Sequence, residues 1–294
     1  MHGTSPSKPL PGAVSRDSAQ ETVPETLREK ERALDQILRD AAPLVVAYSG
    51  GVDSAYLLAR AWKVVGTGML GVIADSASLP RQALAEALDL AQKLGAPVEV
   101  LPTAELENPE YASNPVNRCY FCKAELFSKL EELAPARGFK AVAYGENADD
   151  MRTVRPGRRA AEEFRVLAPL RDAGLSKSEI RLLSGEMGLP TADAPAQPCL
   201  SSRIPHGTPV TVEALGMVER AEAFVRSLGF RVFRVRHMVR PGGELVGRLQ
   251  VDPREFDRLA QIPGGELDAG FQRAGYARAE VDPDGYRAPV EAGR

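Results

Sequence analysis

No stretch of this 294-residue chain approaches the length of apolar residues that a bilayer requires, which argues against a membrane-spanning helix. Residues 1–24 also lack the apolar core of a secretory signal. Rich in Ser, Pro, Thr and Gly, they are expected to form a disordered tail on a cytoplasmic protein. Positive charge is not in excess: 37 Lys and Arg against 40 Asp and Glu give a net charge of −3. No long-range attraction therefore draws a nucleic acid, although a local basic face stays open. Cysteine is scarce, and the three present, Cys119, Cys122 and Cys199, are too few and too unevenly placed for a disulfide framework. An odd count of this kind points to metal binding or reactivity. No internal repeat is visible. What the chain does have is 44% hydrophobic residues over a length sufficient for one large domain or two smaller ones.

The most informative stretch runs from Leu44 to Ala59, an apolar run broken by Gly50 and Gly51 and resumed at helical spacing. This pattern predicts a buried strand, a tight turn and a helix N-terminus. Two adjacent glycines let the backbone approach a ligand, Ser49 and Ser54 add hydroxyls, and the helix end adds partial positive charge. The result is an anion cradle without the Lys that closes the common P-loop. Ser49-Gly-Gly-Val-Asp-Ser54 resembles instead the pyrophosphate loop of the ATP pyrophosphatases. Gly66-Thr-Gly-Met-Leu-Gly71 matches a dinucleotide fingerprint in spacing but ends a helix and runs into a strand, so it reads as a helix C-cap and turn.

An amphipathic helix is expected over 25–40, strands over 44–48, 69–74, 97–101 and 140–144, and helices over 52–65, 81–94 and 124–137. Alternating strands and helices imply a parallel sheet covered on both faces, with ligands beyond the carboxyl ends of its strands. Asp75 ends the second strand at that rim, either facing a nucleotide or capping the next helix. Glu146 to Asp150 brings acidic residues to the same rim, as Mg²⁺-ATP requires. Lys177, beside the candidate N-cap Ser176, faces a phosphate or solvent.

Cys119 and Cys122 stand three apart at a helix start, where the positive helix end would lower their pKa; redox dithiols, zinc sites and iron–sulfur sites share this pattern. Cys199 lies in a Pro-rich connector with Ser201, Ser202 and Arg203, and Arg203 could hold an anion and keep the thiolate ionised. A helix over 212–228 and strands over 230–239, 245–251 and 276–281, with a short helix from Arg254, outline a small α+β domain. Arg234, Arg236 and Arg240 share one parity of its first strand, as a solvated face or as a phosphate grip.

Together Ser49-Gly-Gly-Val-Asp-Ser54, Asn117-Arg-Cys-Tyr-Phe-Cys-Lys123, Asn147-Ala-Asp-Asp150 and Pro198-Cys-Leu-Ser-Ser-Arg203 resemble the LarE family, over about residues 25–281. These are ATP-dependent sulfur insertases of nickel-pincer nucleotide biosynthesis. The resemblance implies an α/β parallel-sheet PP-loop domain over 25–190, a smaller α+β domain over 191–282 and a tail over 283–294. It implies ATP and Mg²⁺ as cofactors, with Ser49, Gly50, Gly51, Asp53, Ser54, Asp75 and Lys123 at the nucleotide. It implies adenylation of a pyridinium dicarboxylate mononucleotide whose phosphate meets Ser202, Arg203, Arg234 and Arg236, then conversion to a thiocarboxylate. Cys199 matches the sulfur-donor position, and Glu222 an acidic position near it. Members with three cysteines look able to hold a [4Fe–4S] cluster on Cys119, Cys122 and Cys199. Where members often have Arg-Ile-Glu, this chain has Arg248-Leu-Gln250, which puts an acidic metal ligand there in doubt. A homo-oligomer without nucleic-acid or membrane partners is implied, its sulfur donor unknown. The competing readings are a tRNA thiolase with the same loop and a nucleotide-binding regulator with a structural metal.

Overall fold

Helix α1 (Glu25–Ala41) carries Leu27, Leu34 and Leu38 on one buried stripe and leads into strand β1 (Leu44–Ala47). All four residues of β1 are buried, so its backbone is satisfied by strands on both sides. The computed structural model of the chain describes residues 25–152, 156–195 and 198–286. The tail expected over 1–24, and all but the first four residues of the one expected over 283–294, lie outside the described residues.

After β1 come α2 (Val52–Val65), β2 (Met69–Asp75), α3 (Arg81–Leu94), β3 (Val98–Pro102), α4 (Pro109–Ala112), α5 (Arg118–Ala136) and β4 (Ala141–Tyr144). The strands form one parallel sheet in the order β3-β2-β1-β4. Short helices α6 (Pro156–Glu163) and α7 (Pro169–Asp172) precede α8 (Lys177–Glu186), which opens on a capping box between Ser176 and Glu179. One face of the sheet packs α1, α2, α3 and α8 around Leu34, Leu58, Ile73 and Ile180. The other packs α5 and α6 around Phe127, Leu130, Ala160 and Ala161. Truncating a fully buried Leu in either layer to Ala would cost about 2–5 kcal/mol.

The second domain holds α9 (Val212–Ser227), capped by Thr211, then β5 (Phe233–Val239), β6 (Leu245–Val251), α10 (Phe256–Ala260), α11 (Gly264–Ala274) and β7 (Arg278–Val281). β5 and β6 are antiparallel and β7 joins β6 in parallel, giving the order β5-β6-β7. The fold class is thus the expected one: a parallel α/β domain with a smaller α+β domain. Helix α5 starts six residues earlier than the hydrophobic period alone suggested, so that Cys119 and Cys122 lie within its first two turns. Past β7 the chain continues in contact with the sheet, since the Tyr286 amide donates to the Val251 carbonyl at 2.6 Å. Between the domains Tyr111, Leu200, Ile204, Val210 and Leu215 form a separate apolar seam, against which Cys122 packs. Among the described residues no helix is long and apolar enough to cross a membrane.

Candidate active site: two cavities divided by one cysteine loop

The turn after β1 is made possible by close backbone packing. Gly50 takes φ 78°, and a Cβ there would stand 2.9 Å from the Cβ of Ala87 on α3. Ser54 Oγ donates to the Gly51 carbonyl and accepts from the Ser49 amide, both at 3.1 Å, while Ser49 Oγ lies 3.0 Å away. No side chain caps α2, so its first amides are left to solvent or to a ligand. Asp53 Oδ2 is 2.6 Å from Lys177 Nζ, so Lys177 pairs with the loop rather than standing in solvent. Burial holds the Asp53 carboxyl above the ordinary carboxylate range even against Lys177, and its Oδ1 is buried with no hydrogen-bond partner. An orphaned carboxylate oxygen beside a phosphate-sized turn fits a hard cation such as Mg²⁺.

Ser49, Gly51, Asp53, Ser54, Lys123 and Cys199 line a common cavity of about 280 Å³. Of the other expected nucleotide residues, Gly50 shapes the turn, and Asp75 is ion-paired with Arg81 at 2.7 Å; neither lines the cavity. Lys123 lies over the Tyr144 ring, its Nζ 4.4 Å from the centroid.

The connector carrying Cys199 is laid over the start of α5. Arg118 Nη1 donates to the Ser201 carbonyl at 3.0 Å, and Tyr111 Oη is 2.7 Å from Ser201 Oγ. Asn114 Nδ2 donates to the carbonyls of Pro205 and Thr208 at 2.8 Å, and the Leu200 amide donates to the Ser78 carbonyl at 2.8 Å. Chain segments eighty or more positions apart are thereby fastened together, and all three thiols are free. Two expectations about their ionisation are corrected. Burial pushes the Cys199 thiol up despite Arg118 and Arg203, so Arg203 does not keep it ionised. Burial, then the nearby Glu105 charge, likewise pushes Cys122 up and outweighs the positive helix end. Among the described residues no three Cys, His, Asp or Glu side chains are arranged to hold a metal ion. Thiolates as a donor type have the chemistry of an iron–sulfur site, but in this arrangement Cys199 lines the cavity while Cys122 packs against the apolar seam and Cys119 is exposed.

Pro198 and Leu200, on either side of Cys199, line a second cavity of about 300 Å³ together with Arg203, Arg234 and Tyr286. Arg203 is paired with Glu222 through Nε at 2.9 Å and Nη2 at 3.2 Å, and also donates to Ser202 Oγ at 3.0 Å. Glu222 Oε1 accepts the Val235 amide as well, at 3.2 Å, so both carboxylate oxygens already have donors. Arg236 donates to the Ser202 carbonyl at 2.8 Å and to Gln250 Oε1 at 3.1 Å, and Gln250 in turn holds Asp282 at 2.8 Å. Arg240, the third arginine of the row, turns away to Glu280.

Arg234 is 6% exposed, its guanidinium 5.0 Å above the Tyr286 ring, and its Nη2 has no hydrogen-bond partner. Burial and the neighbouring arginines push Arg234 and Arg236 below the ordinary guanidinium range. An unmatched buried guanidinium N–H carries a penalty of about 1–3 kcal/mol, which an anion would relieve. Sequence reasoning missed Tyr286, Asp282 and the Tyr144–Glu146 pair. Tyr286 carries no motif and lies five residues past the last strand, whereas Tyr144 was visible as the end of β4.

A parallel sheet with a Ser-Gly-Gly-x-Asp-Ser turn at its carboxyl rim and an appended α+β domain defines a PP-loop type protein. No protein-family model matches the chain. It is 34% identical over 212 residues to the pyridinium-3,5-bisthiocarboxylic acid mononucleotide synthase of Lactiplantibacillus plantarum, covering 72% of this chain and 77% of that one. The chain belongs to the LarE family. It is also 40% identical over 263 residues to an uncharacterized protein of Synechocystis, covering 89% and 96% of the two chains. An uncharacterized protein of Methanocaldococcus jannaschii is 28% identical over 193 residues, covering 66% and 73%.

Proposed function

We propose that this protein is an ATP-dependent sulfur insertase acting on a pyridinium dicarboxylate mononucleotide. One observation carries the reading beyond family membership: Cys199 lines the cavity of the glycine turn, while its neighbours Pro198 and Leu200 line the cavity of Arg203 and Arg234. A substrate whose phosphate is gripped by Arg203, Arg234 and Arg236, with Ser202 beside them, can present its ring carboxylate across that loop to ATP.

A free carboxylate does not exchange oxygen for sulfur, so it must first be activated. A carboxylate oxygen attacks the α-phosphorus of ATP, and the bond to pyrophosphate breaks. The uncapped end of α2 with Ser49 and Ser54 receives the pyrophosphate, and Asp53 supplies an oxygen for Mg²⁺. A sulfur nucleophile then attacks the acyl carbon, AMP leaves with its oxygen, and a thiocarboxylate results. Cys119, Cys122 and Cys199 are the residues that would hold a [4Fe–4S] cluster. When bound, such a cluster supplies an iron without a protein ligand, open to exogenous sulfide.

A second reading is favoured by one specific fact. Of the three cysteines Cys199 alone lines the nucleotide cavity, as direct donation of its own sulfur requires. Anaerobic purification followed by iron and sulfide assay, with mass measurement after turnover, separates the two. The cluster reading expects iron in the wild type, its loss in each Cys→Ala variant and unchanged mass. Donation by Cys199 expects Cys119→Ala to remain active and each active protein molecule to lose about 34 Da, one H₂S, once, as the Cys199 thiol becomes an alkene. Absence of ATP-dependent thiocarboxylate formation under either regime would overturn the function itself.

A further inference from the structure

Helix α6 presents Gly157, Ala160 and Ala161 as its buried face. Small residues at this spacing let it approach α5 closely, and Lys123 leaves α5 at the point of approach. A Cβ on Gly157 would stand 2.6 Å from Lys123 Cδ, 3.0 Å from Cε and 3.4 Å from Cγ. The ammonium end meets a second wall, the Tyr144 ring, with Lys123 Nζ 4.4 Å from its centroid. The lysine stem therefore runs past a residue without a side chain, and its ammonium ends over an aromatic face.

Both walls are fastened to one buried carboxylate. Glu146, 4% exposed, accepts from Tyr144 Oη at 2.7 Å, from Arg158 Nε at 2.9 Å and from Arg171 Nη1 at 3.0 Å. Arg158 follows Gly157 directly on α6, so the ion pair that fixes the helix start also fixes the distance between the walls. A lysine in solvent samples many rotamers, and walls of this kind remove much of that freedom before any ligand arrives.

We infer that Gly157 is a positioning residue for Lys123, holding its ammonium at the nucleotide cavity through the absence of a side chain. The inference rests on the nucleotide reading of that cavity. Because the clash of a Gly157→Ala variant falls on a flexible stem, the lysine moves and the fold stays. The test is a double-mutant cycle read by calorimetric titration with ATP, alongside thermal unfolding. Lys123→Ala should weaken ATP binding about tenfold, the loss expected for one charge-assisted contact. Gly157→Ala should come close to that loss with an unchanged unfolding midpoint. In the Lys123→Ala background the same Gly157→Ala change should have less than about a twofold effect, since nothing remains to displace.

Equal losses in both backgrounds would show that Gly157 acts on the fold and overturn the inference, as would full ATP affinity in Gly157→Ala. Should Gly157→Ala alone fail to fold, the double variant must fold, because the stem that clashes is gone; failure of both overturns the inference. A wild-type protein that does not bind ATP, or a Lys123→Ala variant with full affinity, would instead remove the nucleotide reading beneath it.

Discussion

The two cavities are built by opposite means. The glycine-turn side of one is made largely of backbone: the end of β1, two glycines, two short hydroxyls and the start of α2, all within residues 47–54. The one beside the arginines is made of long side chains gathered from residues 203, 222, 234 and 286, while Arg236 is bonded to the Ser202 carbonyl and does not line it. Backbone dipoles fixed by a buried sheet need no partner to stay in place, whereas buried arginines must each be matched. Glu222 matches Arg203 and Glu280 matches Arg240, and Arg234 is left with an unpartnered N–H in the cavity. A ligand group is thus invited in the first cavity by geometry and in the second by incomplete pairing.

The largest expected effect breaks the first cavity alone. Asp53→Ala or Ser54→Ala should lower ATP-dependent pyrophosphate release on the order of a hundredfold or more, because a partner of the phosphates or their Mg²⁺ is lost. Substrate affinity measured by equilibrium dialysis should stay within about twofold, since the arginines are untouched. Pyrophosphate release that survived both substitutions would mean the nucleotide lies elsewhere.

Arg234→Ala and Arg236→Ala should do the reverse. Loss of a charge-assisted contact should raise the substrate KM roughly ten- to a hundredfold while the Kd for ATP changes little. Parallel losses for ATP and substrate would dissolve the distinction between the cavities.

Glu222→Ala tests the claim that pairing, not backbone, holds the second cavity. It strips the acceptor from the Arg203 guanidinium and the Val235 amide together, both buried, and should cost about 3–5 kcal/mol in denaturant unfolding. Glu222→Gln should recover part of that cost by accepting one hydrogen bond. A stable Glu222→Ala protein would mean that Arg203 finds another partner.

The same contrast explains what could be read from the sequence. The turn at Ser49–Ser54 and the parallel sheet were legible because each is local: strand period, paired glycines and helix period occur in one stretch. The overlap of the Cys199 connector with α5 was expected from the cysteines, yet the bonds that achieve it run from Asn114 and Arg118, which carry no motif of their own. Pairing was illegible: Lys177 and Asp53 join elements far apart in the chain, and Arg203 and Glu222, though nearer, share no local period that would mark them as partners. Ionisation was misread for one reason throughout, since burial outweighs a nearby positive charge and burial is a property of the whole fold.

The smallest effect separates the domains by acid. Residues 25–190, which form the parallel-sheet domain, contain no histidine, while β5 of the second domain carries His237, 4% exposed, its Nδ1 3.2 Å from Tyr276 Oη. Burial lowers its pKa below the ordinary 6.5, opposed in part by the Glu213 charge. The unfolded chain therefore binds a proton that the folded chain resists. Stability is fully present above pH 6.5 and is lost as pH falls through that value towards the lowered folded pKa. Buried carboxylates such as Glu146, where hydrogen bonds from Arg158 and Tyr144 outweigh the upward push of burial, have an unfolded value of 4.5 and contribute little change above about pH 5.5. Within the second domain a step from pH 7.5 to 5.5 therefore reads His237, whereas Asp53 in the other domain, held up by burial, can only gain stability as the pH falls. The unfolding midpoint of the second domain should fall by a few degrees while that of the parallel-sheet domain does not fall, and His237→Gln should abolish the fall. A pH response that persists in His237→Gln, or that appears first in the nucleotide domain, would show that another group governs it.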